Sequence, residues 1–334
     1  MSNLTNKPHE NSANTYIPQT ADGVLVIDKP ADWTSHDVVA KMRKILRTRR
    51  VGHTGTLDPF ATGVLVVCVN QATRLVQYLT GDDKEYVATV RLGWATDTGD
   101  FTGTPTTPKT DARQITEAQI TAALAPFRGR IQQVPPMYSA KKIGGQKLYE
   151  LARRGKEVER PPVEIEIKAL ALLSAAEAAN WFARAAPLEA ATDPLAQDFH
   201  LRVVCSAGTY IRTLAEDIGK QLGIGAHLTA LRRIRAGHCP LSQAVTLEQL
   251  AALCQANELH TVLVPMADAV VMPHVTLTED ECKAISFGRS IRRQGNWAQD
   301  TPAKLCDANG NLLAIAAYEV EKQAWQPRAV LYTS

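Results

Sequence analysis

The chain has 334 residues, 37 basic against 34 acidic, for a net charge of +3, with 45% hydrophobic and 21% charged residues. This is the balance of an ordinary globular protein with room for two domains, and it excludes an intrinsically disordered chain. No apolar run reaches the roughly 18 residues of a membrane span, and the polar opening MSNLTNKPHENSANTY holds no signal-peptide core. The cysteines (Cys68, Cys205, Cys239, Cys254, Cys282 and Cys306) are scattered without a CxxC pair. Their spacing argues against a zinc ribbon, and with no secretory signal against a disulfide framework. A cytoplasmic protein with a mobile tail over residues 1–16 is expected.

In chain order, Val24–Ile27 reads as a buried strand stopped by Asp28-Lys-Pro30. Ser35 is placed to cap a helix running through Lys41–Arg50, a stretch with six basic residues in ten and no acid. A glycine-punctuated loop follows over 51–63, then a second buried strand at Val64–Val69. Tyr86, Ala88, Val90 and Leu92 alternate with Val87, Thr89 and Arg91 in a third strand. Phe199–Cys205 alternates similarly and turns at Ser206-Ala-Gly-Thr209 into a helix with the stripe Ile211, Leu214, Ile218, Leu222. Residues 174–197 are alanine-rich and read as an insertion. A helix-like stretch near Leu247–Leu263 leads to Val264-Pro265, and short strands with turn signals fill 275–334. Strands and helices interleave without a regular βαβ rhythm. The expected class is therefore α+β, with a mixed, largely antiparallel sheet flanked by helices and a small β-rich C-terminal domain. Besides 41–50, basic residues gather over 128–160 and at Arg232, Arg233 and Arg235. Three such clusters around glycine-rich loops favour phosphate binding.

The densest candidate for chemistry is Gly52-His-Thr-Gly-Thr-Leu-Asp-Pro-Phe-Ala-Thr-Gly63. Its glycines permit a tight loop that a ligand can approach. No Gly-Lys-Ser/Thr closes it as a phosphate loop, and one histidine with one aspartate is too few for a metal site. Asp58 before Pro59 serves either chemistry or the turn itself. In the second candidate, SAGTYIRTLAEDIG, Arg212 falls in the first helical turn, where the dipole disfavours a cation. It requires an anionic partner, a carboxylate or phosphate, with Glu216 four residues on as the local option. In the third, Lys84-Glu-Tyr86, the tyrosine packs in the core or stacks on an unstacked base.

These segments occur together in a recognisable order: Asp28-Lys-Pro30 with Thr34-Ser35, GHTGTLDPFATGVL, KEY at 84–86, PPMYSAKKIGGQKLYELARRG at 135–155, SAGTYIRTLAEDIG and GAHLTALRRIRAG. From about residue 20 onward, the alanine-rich insertion apart, the chain resembles the TruB-type tRNA pseudouridine synthases. Asp32 departs from the glycine usual there. The resemblance implies a pseudouridine synthase domain over 17–267 and an RNA-binding PUA-like domain over 268–334. It implies Asp58 as the catalytic carboxylate, Tyr86 stacking under the target base and assisting proton removal, and Arg212 paired with Asp58. His53, Tyr210 and Leu231 would line the pocket and Lys29 would support it. The implied substrate is uridine 55 in the T loop of tRNA, with no cofactor, no metal and no obligatory protein partner, the chain acting as a monomer.

The chemistry is consistent with that assignment. Isomerisation breaks the N1–C1′ bond and forms C5–C1′, so neither redox step nor group donor is needed. One ionised carboxylate can attack C1′ or C6, or take a proton from C2′. A glycosidase would ordinarily use two opposed carboxylates, and the target base must be flipped to be reached. Two other readings are a guide-RNA-dependent relative and an RNA-binding, tRNA-folding protein with incidental catalysis. The basic 137–155 segment favours the stand-alone enzyme.

Overall fold

The computed structural model describes residues 22–183 and 193–331. Its first elements are β1 (Gly23–Lys29), α1 (Ser35–Ile45), β2 (Val51–His53) and β3 (Thr62–Val69). A short α2 (Val76–Leu79) precedes β4 (Lys84–Leu92), α3 (Glu117–Leu124) and β5 (Gly129–Gln133). Then come the two-residue strands β6 (Lys142–Ile143) and β7 (Gln146–Lys147), and α4 (Leu148–Ala152). They are followed by β8 (Val163–Leu173), α5 (Ala175–Phe182), β9 (Gln197–Cys205), α6 (Ile211–Gln221), β10 (Ala226–Ala236) and β11 (Cys239–Pro240). Two helices, α7 (Leu247–Gln255) and α8 (Met266–Ala269), lead to β12 (His274–Thr276) and α9 (Glu279–Ser286). Strands β13 (Ile291–Arg292), β14 (Pro302–Cys306), β15 (Leu312–Glu319) and β16 (Ala324–Val330) end the described chain. No described helix is long and apolar enough to cross a membrane.

Nine strands form the main sheet in the order β1-β3-β10-β4-β9-β8-β5, with β2 on β3 and β11 on β10. Every pairing is antiparallel except β3 with β10, where Thr62 and Gly63 lie beside Arg232 and Arg233. The expected mixed, largely antiparallel α+β fold is what the chain adopts. The central strands are covered on both faces, so alternation sorts side chains between two cores, not between core and solvent. Tyr86, Ala88, Val90 and Leu92 enter one core with Leu214, Ile218, Leu228 and Leu231. Val87 points into the other with Val64, Val66 and Ile234. The polar residues between them are buried too, and each is matched: Thr89 with His200, Arg91 with Asp198, Glu85 with Arg202 and Arg235. At the sheet edge, α1 and α7 cover Leu25, Ile27, Leu65 and Val67 with Val38, Met42 and Leu250.

Four local expectations change. The cap of α1 is Thr34, not Ser35: Thr34 and Asp37 bond each other reciprocally as a capping box. The helix ends at Ile45, short of Arg50, because Arg47 turns left-handed with φ 50°. The stretch 51–63 is not loop throughout, since β2 takes its first three residues. Arg232, Arg233 and Arg235 are not a solvent-facing phosphate cluster. They lie on the central strand β10, where Arg232 is fully buried and Arg233 nearly so. Arg232 grips Asp28 through two hydrogen bonds of 2.7 and 3.0 Å and reaches Thr62 Oγ1 at 3.1 Å. Arg235 pairs with Glu85 at 2.9 Å.

Of the alanine-rich stretch, Ala175–Phe182 is a helix capped by Ser174, with Ala178 and Phe182 packed on the sheet; residues 184–192 and the 1–16 tail lie outside the described residues. The later strands form a second, five-stranded sheet in the order β12-β14-β15-β16-β13. It has its own core around Leu305, Tyr318 and Trp325. It also lends Cys306, Leu312, Ile315 and Leu331 to the core that holds Val24 and Val64. Between the sheets, Lys304 Nζ donates to the carbonyls of Ala267 (2.7 Å) and Val270 (3.3 Å), and Arg74 donates to Val330 O.

Removing one partner of a buried ion pair leaves the other charge desolvated and alone. Asp28→Ala should therefore destabilise the protein by about 3–5 kcal/mol, read as a lowered urea midpoint at unchanged slope. A loss under about 1 kcal/mol would place the Arg232 charge in contact with water.

Candidate active site

The loop between β2 and β3 owes its shape to buried side chains beneath it. Ser35 Oγ accepts from Leu57 N (2.9 Å) and donates to Leu57 O (3.2 Å), fixing the residue before Asp58. Lys29, wholly buried at the end of β1, donates to the carbonyls of Pro30 (2.9 Å), Trp33 (2.6 Å) and Pro59 (3.0 Å), the last of them the residue after Asp58. Burial pulls the Lys29 ammonium down to about 8, with nearby Asp58 opposing the shift. Arg233 Nη2 donates to Gly55 O at 3.0 Å. The expectation for Lys29 thus takes a definite form: it lines neither cavity described below but holds the loop that presents Asp58.

Arg212 approaches from the other side, in the first turn of α6, and is only 4% exposed. Its Nε donates to Asp58 Oδ2 at 2.9 Å and its Nη2 to Asp58 Oδ1 at 3.0 Å, a two-point fork. The same guanidinium donates to the carbonyls of Thr98 and Tyr138, both at 2.7 Å, and Asp100 stands 4.0 Å away. Its carboxylate partner is Asp58, not Glu216. Burial pushes the Asp58 carboxyl above its ordinary value; Arg212 opposes the rise, and Asp100 adds to it. The backbone of Tyr210, which precedes α6, is locked by Gln133: its N–H donates to Oε1 at 2.8 Å and its C=O accepts from Nε2 at 3.1 Å.

Two cavities meet at Asp58 and Arg212. The smaller, about 270 Å³, is lined by Tyr86, Tyr210, Leu231, Lys84 and Arg233 and by the Ser206–Thr209 turn. It brings together five of the seven residues singled out from sequence: Asp58, Tyr86, Arg212, Tyr210 and Leu231. Burial holds the Tyr86 hydroxyl above the ordinary tyrosine range despite Arg233, so it is a neutral phenol at pH 7. The second cavity, about 520 Å³, lies on the other side and includes His36, Phe60, Tyr138, Tyr149 and Arg153. The Arg153 guanidinium lies 5.5 Å from the Tyr149 ring centre. His53 lines neither. Its ring stands edge-on to His36 with centres 5.5 Å apart, and burial lowers it to about 4, so it is neutral near pH 7.

The sequence pointed to neither Gln133 nor Asp100, and it misassigned Arg233 to a phosphate cluster. Neither Gln133 nor Asp100 carries a local signal: Gln133 acts on the backbone of Tyr210, and Asp100 meets Arg212 only through the fold. Among the described residues no three His, Cys, Asp or Glu side chains gather as metal ligands.

Comparison with known proteins identifies the family. Residues 43–211 match the family model for the TruB family pseudouridylate synthase N-terminal domain, and 212–271 match the tRNA pseudouridylate synthase B C-terminal domain. The chain is 42% identical to a tRNA pseudouridine synthase B of Solibacter usitatus (strain Ellin6076), over 88% of this chain and 94% of that protein. It is 43% identical to the one from Thermobifida fusca (strain YX), over 89% and 94%. Among solved structures, the crystal structure of a Cbf5-Nop10-Gar1 complex contains a chain superposing with TM-score 0.69 at 25% identity, over 97% of this chain and 92% of that one. With its family models spanning both the Asp58 loop and α6, and relatives above 40% identity along most of its length, the chain belongs to the TruB family of pseudouridylate synthases.

Proposed function

We propose that the chain isomerises uridine 55 in the T loop of tRNA to pseudouridine, with Asp58 as the catalytic carboxylate, acting without guide RNA or cofactor. The observation that carries this reading is the two-point Asp58–Arg212 fork in the wall of a cavity also lined by Tyr86, Tyr210 and Leu231. The curated relatives at 42–43% identity are tRNA enzymes by name, which favours tRNA over a guide-dependent substrate. The flipped uracil enters between the two tyrosines, with Leu231 against its face. Asp58, kept ionised by Arg212, acts at C1′, at C6 or on the C2′ proton. Tyr86, a neutral phenol beside the base, stacks on it and relays the C5 proton. The basic 137–155 segment and the C-terminal sheet grip the RNA backbone.

Asp58→Asn keeps the shape of the side chain and removes its charge. It should abolish pseudouridine formation while leaving tRNA affinity within about tenfold. Mapping pseudouridine in treated tRNA checks both position and loss, and substantial turnover by the Asn variant would refute the assignment.

Arg212→Leu removes the cation that opposes the rise in the Asp58 pKa. The carboxyl pKa then climbs further, a smaller fraction is ionised at a given pH, and the acidic limb of the single-turnover rate moves to higher pH. Arg212→Lys should rescue in part only, lacking the planar fork. Weakened tRNA binding with an unchanged rate and pH profile would make Arg212 a phosphate contact instead.

Removing residues 268–334 would strip Cys306, Leu312, Ile315 and Leu331 from a shared core, so point changes test the C-terminal sheet better. Arg289 and Arg292 are exposed there, and the Arg289 guanidinium lies 5.9 Å from the ring centre of Phe287, itself 73% exposed. Arg289→Glu with Arg292→Glu should raise KM for whole tRNA, spare kcat, and leave an isolated T stem-loop substrate unaffected. An equal loss on both substrates would contradict a separate RNA foothold.

A further inference from the structure

Buried and half-buried arginines here are matched by carboxylates: Arg212 by Asp58, Arg232 by Asp28, Arg235 by Glu85 and Arg91 by Asp198. Two cations facing the smaller cavity break that pattern. Lys84 and Arg233 are 6% and 2% exposed, and no carboxylate forms an ion pair with either among the described residues. Their partners are neutral. Lys84 Nζ donates to Thr80 O at 2.6 Å and to Asp82 O, while Arg233 donates to Val64 O at 2.6 Å and Gly55 O at 3.0 Å. The Asp82 and Asp83 carboxylates act on Lys84 only from longer range. The two cations are neighbours: a Cβ placed on Gly55 would lie 3.9 Å from Lys84 Cε and 3.6 Å from Arg233 Nη1. Both crowding and burial disfavour two like charges, and burial with the adjacent Arg233 accordingly lowers the Lys84 pKa. Such a pair is an electrostatic hole waiting for negative charge, preorganised and largely shielded from water.

The reaction supplies that charge. When the N1–C1′ bond breaks, N1 keeps the electron pair and the detached uracil is an anion delocalised over its ring nitrogens and oxygens. C1′ is satisfied by the Asp58 carboxylate or by loss of the C2′ proton to it. The ring turns and C5 donates its π pair to C1′, as the C1′–O bond to Asp58 breaks or, in the elimination route, as C2′ regains its proton from Asp58. The C5 proton is then removed while N1 gains one, so the net change is isomerisation. We propose that Lys84, flanked by Arg233, is a catalytic residue that stabilises the uracil anion between bond cleavage and re-attachment. This rests on the pseudouridine-forming reading above.

The test compares wild type, Lys84→Met and Lys84→Arg in single turnovers at saturating T stem-loop RNA, with uridine or 5-fluorouridine at the target. The fluorinated base is more acidic and leaves more readily. Lys84→Met should slow cleavage of the uridine substrate by about 100-fold with RNA affinity within about threefold, and Lys84→Arg should recover much of the rate. The Lys84→Met deficit should shrink about tenfold for 5-fluorouridine, because a better leaving group needs less help. An equal deficit for both bases would make Lys84 a structural prop for the loop and overturn the proposal. So would an unchanged rate with weaker binding and a shallower salt dependence, the behaviour of a phosphate contact. If Lys84→Met does not fold, Lys84→Gln carries the same two-substrate comparison. Wild type that forms no pseudouridine would instead defeat the functional reading itself.

Discussion

The fork between Arg212 and Asp58 joins positions 154 residues apart, and the geometry of the cleft depends on it. Each member is awkward alone. A cation in the first turn of α6 sits against the positive end of the helix dipole, and a carboxylate at the wall of a cavity loses hydration. Together they tolerate burial, and the guanidinium has donors left for the carbonyls of Thr98 and Tyr138. One side chain therefore gathers the β2–β3 loop, the turn before Asp100 and the segment leading to β6, all non-adjacent in the chain.

A second feature of the site is how its loop backbone is satisfied. Loop carbonyls that turn inward would be unpaired in a packed interior. Here buried side chains take them: Lys29 caps Pro59, Arg233 caps Gly55, and the Ser35 hydroxyl closes both polar groups of Leu57. The β2–β3 loop is thereby anchored immediately before and after Asp58, which leaves the carboxylate little freedom to drift from its partner.

The strands were legible because their apolar runs and alternation are local properties, and the segment holding Asp58 was legible because its glycines and lone carboxylate are unusual together. What local reading missed was set by distant pairing. Thr34 and Ser35 both look like caps; only the Asp37 box decides for Thr34, and only the tertiary contact with Leu57 shows what Ser35 does. Arg232 and Arg233 look solvated in a basic run, until β10 is found in the middle of the sheet with Asp28 two strands away. Gln133 carries no signature at all, since its target is the backbone of Tyr210. The pairing of Arg212 with Asp58 was expected from family resemblance, while its surroundings supplied only the need for an anion.

The second sheet shares an apolar core with the first, and Lys304 and Arg74 tie down the connection between them. Swinging it away would wet Leu312, Ile315 and Leu331 along with Val24 and Val64. In the proposed function, the Asp58 cleft and the C-terminal sheet are accordingly the fixed jaws of a calliper. The span between them is set when the chain folds, before any substrate arrives. Fit is then demanded of the RNA: a molecule whose stem is too long, too short or wrongly bent cannot touch both jaws at once, whatever base it offers.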